Sequence, residues 1–139
     1  MSLVLDASMT LSWIFKRADP AERACADRAL LSMPGTPVVV PPLWYLEVAN
    51  GLLVGERRRV VTEGESTHFL RLLAQLSISI DSALAATHHG EVITLARQHD
   101  LTAYDACYLE LALRLGAALA SFDGKLIKAA QAAGGLVFT

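Results

Sequence analysis

The chain has 139 residues, of which 53% are hydrophobic and 19% are charged. This composition excludes a disordered chain and gives one domain enough apolar surface to bury a core. A membrane span is not expected because no apolar run reaches the roughly 18 residues that one needs, and the net charge of −2 does not by itself indicate nucleic-acid binding.

Two buried strands and four helices are predicted in the first half of the chain. The runs Leu3–Leu5 and Val38–Val40 predict strands, since continuous apolar and β-branched residues are typical of a buried parallel sheet. Pro20 and the pair Pro41-Pro42 each precede a helical pattern, as expected of prolines at helix starts. Helices are predicted over residues 8–15, 20–31, 43–58 and 63–75, with a turn at residues 33–35.

Three further strands alternate with three helices in the second half. Strands are predicted at residues 78–80, 118–121 and 136–138, and helices at residues 82–99, 102–115 and 124–133. Ser82, Thr102 and Asp123 are expected to open these helices, since their side-chain oxygens can cap a helix N-terminus. The alternation predicts an α/β fold, an α/β/α sandwich around a central, mostly parallel sheet. We expect residues 1–139 to form this single domain.

Four carboxylates lie where the predicted elements leave one edge of the sheet. Asp6 directly follows the first strand, and Asp123 follows the fourth strand after a single intervening residue. Asp105 lies in the first turn of its helix, and Glu47 lies in the second turn of the helix after the second strand. Ligands of open α/β sheets bind beyond the carboxyl ends of the strands, so we expect these four acids to converge.

Each of these acids also has an ordinary structural interpretation. Asp6 and Asp123 could be helix caps, Asp105 could complete a capping box with Thr102, and Glu47 could be a common helix acid. Helix geometry argues against this for Glu47 and Asp105, because both share a face with apolar residues and have no basic residue three or four positions away. A cation from outside the chain is the simplest partner for them.

The residue types around this edge favour a hard divalent metal ion. Clustered carboxylates repel one another, and Mg²⁺ or Mn²⁺, which prefer oxygen ligands, would relieve that repulsion. No pairing of His and Cys favours zinc. Such an ion, one or two in number, would activate water for attack on a phosphodiester. Four small polar residues beside the acids could orient them, although caps or turns explain them equally well: Ser8, Asn50, Thr102 and Ser121.

At these residues the sequence resembles the PIN-domain ribonucleases, and more closely the VapC-type toxins of bacterial toxin–antitoxin pairs. The likeness spans nearly the whole chain, and the order and spacing of its four blocks make it specific. The blocks are Val4-Leu5-Asp6-Ala7-Ser8, Leu46-Glu47-Val48-Ala49-Asn50, Leu101-Thr102-Ala103-Tyr104-Asp105-Ala106 and Ser121-Phe122-Asp123-Gly124-Lys125-Leu126.

The resemblance implies a function and a set of partners. It implies an α/β/α fold and Mg²⁺- or Mn²⁺-dependent cleavage of single-stranded RNA by Asp6, Glu47, Asp105 and Asp123, with Asp6 and Asp105 the firmest metal ligands. It also implies a homodimer and a small antitoxin, a segment of which covers the active-site groove. Ser121 stands where family members often have Thr, and because it keeps the hydroxyl we expect little effect.

Other residues admit two interpretations each. Arg57, Arg58 and Lys125 could contact RNA phosphates, although basic residues at a helix end are commonly only solvated. The aromatic residues Trp13, Phe15, Trp44 and Tyr45 could form an antitoxin or dimer surface or belong to the core. The two cysteines, Cys25 and Cys107, match no zinc or redox spacing. We expect buried free thiols in a reducing cytoplasm, a location that also fits the lack of a basic, signal-like start.

Three alternatives to a toxin ribonuclease remain open at this point. A PIN ribonuclease could process RNA without any antitoxin. A phosphorylated receiver would need an acidic pair after the first strand and a phosphoacceptor after a middle strand, whereas Asp6 is single and Asp81 leads straight into a predicted helix. A binding protein without catalytic activity is disfavoured because all four acids are present.

Overall fold

The computed structural model describes residues 1–83 and 85–139, which form five strands and seven helices, with one or two α-helices between consecutive strands of a single sheet. The strands are β1 Leu3–Leu5, β2 Val38–Val40, β3 Ile78–Ile80, β4 Ala118–Ala120 and β5 Leu136–Val137. The helices are α1 Ala7–Leu11, α2 Pro20–Ser32, α3 Trp44–Arg57, α4 Glu63–Ala74, α5 Ala85–His99, α6 Ala103–Leu115 and α7 Gly124–Ala132.

The sheet has the strand order β3-β2-β1-β4-β5, and every pairing in it is parallel. In the centre, Leu3 lies opposite both Val38 of β2 and Ala118 of β4. Because the order reverses between β1 and β4, their carboxyl ends form the switch point at which open α/β sheets bind ligands. The predicted α/β/α architecture is therefore confirmed, and the sheet is parallel throughout.

The strands follow the predicted boundaries closely, and two helices differ from them. The first helix ends at Leu11 rather than near residue 15, because residues 13 and 14 bond back three residues instead of four and Ser12 donates its hydroxyl to the carbonyl of Met9. The helix expected to open at Ser82 runs from Ala85 to His99. Residue 84, within its predicted first turn, lies outside the described residues.

The core is built from β1, β4 and the helix faces that cover them. Leu3, Val4 and Leu5 are fully buried, as expected for a central parallel strand covered on both faces. Trp44 belongs to this core and donates its indole N–H to the buried Thr10 hydroxyl at 3.0 Å, whereas Trp13 is only half-buried. No helix in the described ranges is long and apolar enough to cross a bilayer.

Two glycines bring the helix that holds Glu47 against the N-terminal segment. Gly51 and Gly55 lie one turn apart on α3, and a Cβ atom at either position would collide with the side chain of Leu11 or Phe15. Their lack of a side chain allows close packing between α1 and α3. The strand end at Asp6 and the first turns of α3 are therefore held beside each other.

Candidate active site

Asp6 lies at the end of the central strand and is the most deeply buried of the four predicted acids. Only 6% of the residue is exposed, and its backbone N–H continues the sheet by donating to the carbonyl of Ala120. It occupies the N-cap position of α1, yet its side chain makes no capping bond. The capping interpretation is therefore wrong for Asp6.

Two serine hydroxyls hold the Asp6 carboxylate and join the ends of β1 and β4. Ser8 and Ser121 each donate to Oδ2 of Asp6, at 2.7 and 2.6 Å. The same hydroxyls accept the backbone N–H groups of Phe122 and Asp123, each at 2.9 Å. Both serines thus connect the buried carboxylate to the loop after β4, and burial raises the pKa of Asp6 although these bonds oppose the rise.

Asp123 does act as the predicted N-cap of α7. Its Oδ1 atom accepts the backbone N–H groups of Lys125 and Leu126, at 3.0 and 3.2 Å. A helix cap and a role in the acidic cluster are compatible here, because the negative charge of Asp123 also contributes to the raised pKa values of Asp6 and Asp105.

Glu47 projects from α3 and is paired with a tyrosine from α6. The hydroxyl of Tyr108 donates to Oε1 of Glu47 at 2.5 Å, across 61 residues of sequence. Burial raises the pKa of Glu47, and the charges of Asp6 and Asp105 raise it further, while the Tyr108 bond lowers it. Tyr108 is not among the supporting residues predicted from the sequence, although it lies three residues after Asp105 and so shares its helix face.

Asp105 lies half-buried in the first turn of α6. Thr102 caps this helix by accepting the backbone N–H of Asp105 at 3.1 Å. Burial raises the pKa of the Asp105 carboxyl, and the neighbouring charges of Asp123 and Asp6 raise it as well. The Thr102 hydroxyl and the charge of Lys125 only partly offset these effects.

The four acids therefore interact with one another electrostatically, and no ion pair among the described residues neutralises them. The pKa values of Asp6, Glu47 and Asp105 are all raised, and in each case the negative charge of another acid in the cluster contributes to the rise. Across residues 1–83 and 85–139, no Lys, Arg or His forms an ion pair with any of the four. Such a cluster destabilises its own charged form and favours a cation from solution.

The arrangement is not a preformed metal cage. Within the part of the chain that the structure describes, no group of three or more His, Cys, Asp and Glu side chains is placed to hold an ion together. The donors at this edge are nevertheless all oxygen atoms, which suits Mg²⁺ or Mn²⁺, since Mg²⁺ keeps several waters and needs only one or two carboxylates. The chemistry of the donors fits such an ion better than it fits zinc.

The predicted supporting residues differ in what they contact. Ser8 and Ser121 bond the Asp6 carboxylate directly. Thr102 is the N-cap of α6, the ordinary role that the sequence analysis left open. Asn50 is exposed, and its side chain forms no hydrogen bond with the described residues. A role for Asn50 stays a prediction.

Basic residues near the acidic edge include one that the sequence analysis overlooked. The guanidinium of Arg17 lies over the ring of Phe122, 4.8 Å from its centroid, and also pairs with Glu22. Lys125 is exposed and pairs with Asp100 at 3.1 Å. Arg57 and Arg58, at the far end of α3, are exposed to solvent.

The surroundings of Asp81 do not support a phosphorylated receiver. Asp81 follows β3, which is an edge strand, and Arg114 binds its carboxylate at 2.7 Å. The Arg114 bond lowers the pKa of Asp81. Arg114 also binds the buried Glu110, which contacts His88 as well, so Asp81 belongs to a structural ion network.

The remaining predictions concern thiols and aromatic residues. Cys25 and Cys107 are free thiols, as predicted, but they are half-buried rather than fully buried. Tyr45 is 48% exposed, and Phe15 packs against the core from a half-buried position beside Gly55. Of the four aromatic residues that could form a surface, only Trp44 is therefore excluded.

Comparisons with known proteins agree with this geometry. The sequence matches the PIN domain family over residues 3–132. Ribonuclease VapC3 of Pyrobaculum aerophilum is 30% identical over 128 residues, which cover 91% of this chain and 92% of that protein.

Two crystal structures show the same fold. PAE2754 from Pyrobaculum aerophilum has a TM-score of 0.68 at 23% identity, covering 93% of this chain and 79% of that chain. VapBC2 from Rickettsia felis bound to a DNA fragment from their promoter has a TM-score of 0.65 at 18% identity, covering 92% of each chain. The resemblance to VapC-type PIN proteins that the four sequence blocks indicate is thus confirmed, and the chain belongs to the PIN domain family.

Proposed function

We propose that this chain is an endoribonuclease of the VapC type, which cleaves single-stranded RNA with Mg²⁺ or Mn²⁺ and is the toxin of a toxin–antitoxin pair. The observation that carries the proposal is the buried Asp6 carboxylate at the sheet switch point, which interacts electrostatically with three other acids and forms no ion pair among the described residues. Its 30% identity to a VapC ribonuclease supports the same activity.

The proposed roles follow from how each acid is held. Asp6 and Asp105 are the principal metal ligands, while Glu47 and Asp123 complete the negative site. When bound, the ion would lower the pKa of a water molecule and neutralise charge on the scissile phosphate. Ser8 and Ser121 keep Asp6 in place by donating to one of its oxygens, so that its position does not depend on the metal.

Basic side chains beside the acids would bind the RNA. Arg17 is the strongest candidate because its guanidinium is fixed over Phe122, directly next to Asp123 in sequence, and a planar guanidinium suits both phosphates and bases. Lys125 is exposed at the start of α7, and its ammonium group can leave its ion pair with Asp100 and bind an RNA phosphate instead. Arg57 and Arg58 would contact RNA farther from the cleavage site.

An antitoxin and a second copy of the chain are the proposed protein partners. The structural similarity to VapBC2 supports an antitoxin. An apolar groove between the end of α1 and helix α4, lined by Trp13, Ile14, Phe69 and Leu72, would accept an antitoxin segment. Exposed apolar side chains on α3, α4 and β3, among them Leu46, support a homodimer.

The proposed activity is tested with purified, antitoxin-free protein and a labelled single-stranded RNA pool. We expect cleavage with Mg²⁺ or Mn²⁺, no cleavage with EDTA, and recovery when the ion is restored. Asp105→Asn should lower cleavage at least a hundredfold, whereas Asp27→Asn, an exposed acid on α2, should cleave normally. Equal cleavage by both variants would refute the assignment of the acidic site.

Expression in cells separates a toxin from a ribonuclease that processes RNA without an antitoxin. The unchanged chain should arrest growth, the Asp105→Asn variant should not, and co-expression of the neighbouring small gene product should restore growth. RNA cleavage in vitro without growth arrest would support the ribonuclease activity and refute the proposed role as a toxin.

A further inference from the structure

The hydrogen bond between Tyr108 and Glu47 concerns the proposed metal site directly. Tyr108 is fully buried in α6, and its ring contributes to the core. Its hydroxyl reaches out of that core to Oε1 of Glu47, which is half-buried and belongs to a different helix. The hydroxyl of one core residue therefore fixes the carboxylate of Glu47 from a distant part of the sequence.

The contact joins two acids of the cluster through one helix. Tyr108 lies three residues after Asp105 on α6, so both side chains lie on the same helix face. Any movement of α6 that shifts Asp105 shifts the donor to Glu47 as well. The hydroxyl of Tyr108 is also the only side-chain donor to Glu47 found among residues 1–83 and 85–139.

We propose that Tyr108 is a positioning residue for the metal site, and that its hydroxyl holds Glu47 in the acidic cluster, where the charges of Asp6 and Asp105 act on it. The proposal rests on the proposed function, because it assigns Tyr108 a part in the same divalent-metal site. The bond also orients Glu47 without neutralising it, since a tyrosine hydroxyl is an uncharged donor.

The alternative is a purely structural role, in which Glu47 merely satisfies a buried hydroxyl. The two roles differ in what Tyr108→Phe changes. A structural role predicts lower thermal stability and unchanged metal affinity. A positioning role predicts weaker metal binding, because partners that orient a ligand contribute about 10- to 100-fold to metal affinity.

The test measures Mn²⁺ binding to the full, antitoxin-free chain by electron paramagnetic resonance, without RNA. Tyr108→Phe should weaken Mn²⁺ binding about tenfold. The matched control is Tyr104→Phe, an exposed tyrosine one turn earlier on α6, which should bind Mn²⁺ as the unchanged chain does. Circular dichroism would verify that both variants are folded.

A double-mutant cycle with Glu47→Gln decides whether the effect passes through Glu47. In the Glu47→Gln background, Tyr108→Phe should cause no further loss of Mn²⁺ affinity. With RNA, Tyr108→Phe should lower kcat at saturating RNA and leave KM unchanged, since Tyr108 is buried away from the substrate surface.

The possible results separate a failure of the Tyr108 role from a failure of the proposed ribonuclease function. If the unchanged chain binds no Mn²⁺, the metal-dependent function fails and the role of Tyr108 fails with it. If the chain binds Mn²⁺ and Tyr108→Phe binds equally well, or if its loss of affinity persists in Glu47→Gln, only the role of Tyr108 is overturned.

Discussion

Replacing Asp105 by Asn should stabilise the metal-free protein while abolishing its activity. The carboxylate is half-buried, and its pKa is raised by burial and by the charges of Asp123 and Asp6. A raised pKa means that the charged carboxylate is less stable in the folded chain than in the unfolded one. An amide of nearly the same shape removes this charge and retains the packing of the residue.

The size of the gain is limited by solvent. One unit of pKa shift corresponds to about 1.4 kcal/mol, but Asp105 is partly exposed, and water screens its interactions with the other acids. We therefore expect the gain in the free energy of unfolding at neutral pH to stay within the roughly 0.2–1 kcal/mol found for exposed charge pairs. For a domain of this length, the melting temperature should rise by at most roughly 2–4 °C.

The sign of the pH dependence follows from the same shift. Below the unfolded pKa of about 3.9, the carboxyl is protonated in both states and costs nothing. The folded chain binds this proton more tightly than the unfolded chain does, because its pKa is higher. Losing the proton as pH rises through the folded pKa therefore destabilises the folded chain. The unchanged protein should therefore lose stability relative to Asp105→Asn between acidic and neutral pH.

Urea unfolding in EDTA at pH 4 and pH 7.5 measures this difference. The stability difference between the two proteins should be smaller at pH 4, close to the unfolded pKa, than at pH 7.5, where Asp105→Asn should be the more stable. Asp27→Asn controls for the general effect of removing an exposed negative charge. A variant that is no more stable than the unchanged chain at pH 7.5 would refute the proposed repulsion within the cluster.

Three further substitutions test other parts of the structure. Trp44→Phe should destabilise the chain by roughly 2–3 kcal/mol in urea unfolding, because it leaves a cavity and removes the bond to Thr10. Arg114→Gln should cost roughly 2–3 kcal/mol in the same assay, because the buried Glu110 loses its guanidinium partner and keeps only the contact with His88; an unchanged midpoint would contradict this. Arg17→Gln should raise KM for RNA several-fold in cleavage assays with little change in kcat, and a lowered kcat alone would argue against RNA binding.

Local sequence patterns were sufficient to predict most of the fold. Strands β1, β2 and β4 are recognisable because each is a continuous apolar run, as Val38–Val40 is between Pro37 and Pro41, whereas Ser79 interrupts β3. The end of α1 was not predictable in this way, because Trp13 and Ile14 continue an apolar helical pattern. Only the backbone bonds back to Thr10 and Leu11 show that the chain turns there.

The candidate site was predictable as a set of residue types but not as a set of contacts. Ser8, Asn50, Thr102 and Ser121 look alike in sequence, as small polar residues near an acid. Ser8 and Ser121 reach Asp6 because they follow neighbouring strands of the sheet. The same limit applies to Tyr108, since its contact with Glu47 exists only once the fold brings these residues of α6 and α3 within hydrogen-bond distance.

Asp6 is the residue at which the demands of stability and of the proposed chemistry conflict most. Its backbone is fixed in the central sheet, so its side chain cannot leave the buried position to reach water. An uncharged Asn could satisfy Ser8 and Ser121 without the cost of burying a charge. A charged carboxylate at this point is costly without a positive partner, and no side chain in the described ranges forms an ion pair with it. A metal ion from solution would remove that cost, so activity and stability should depend on the ion together.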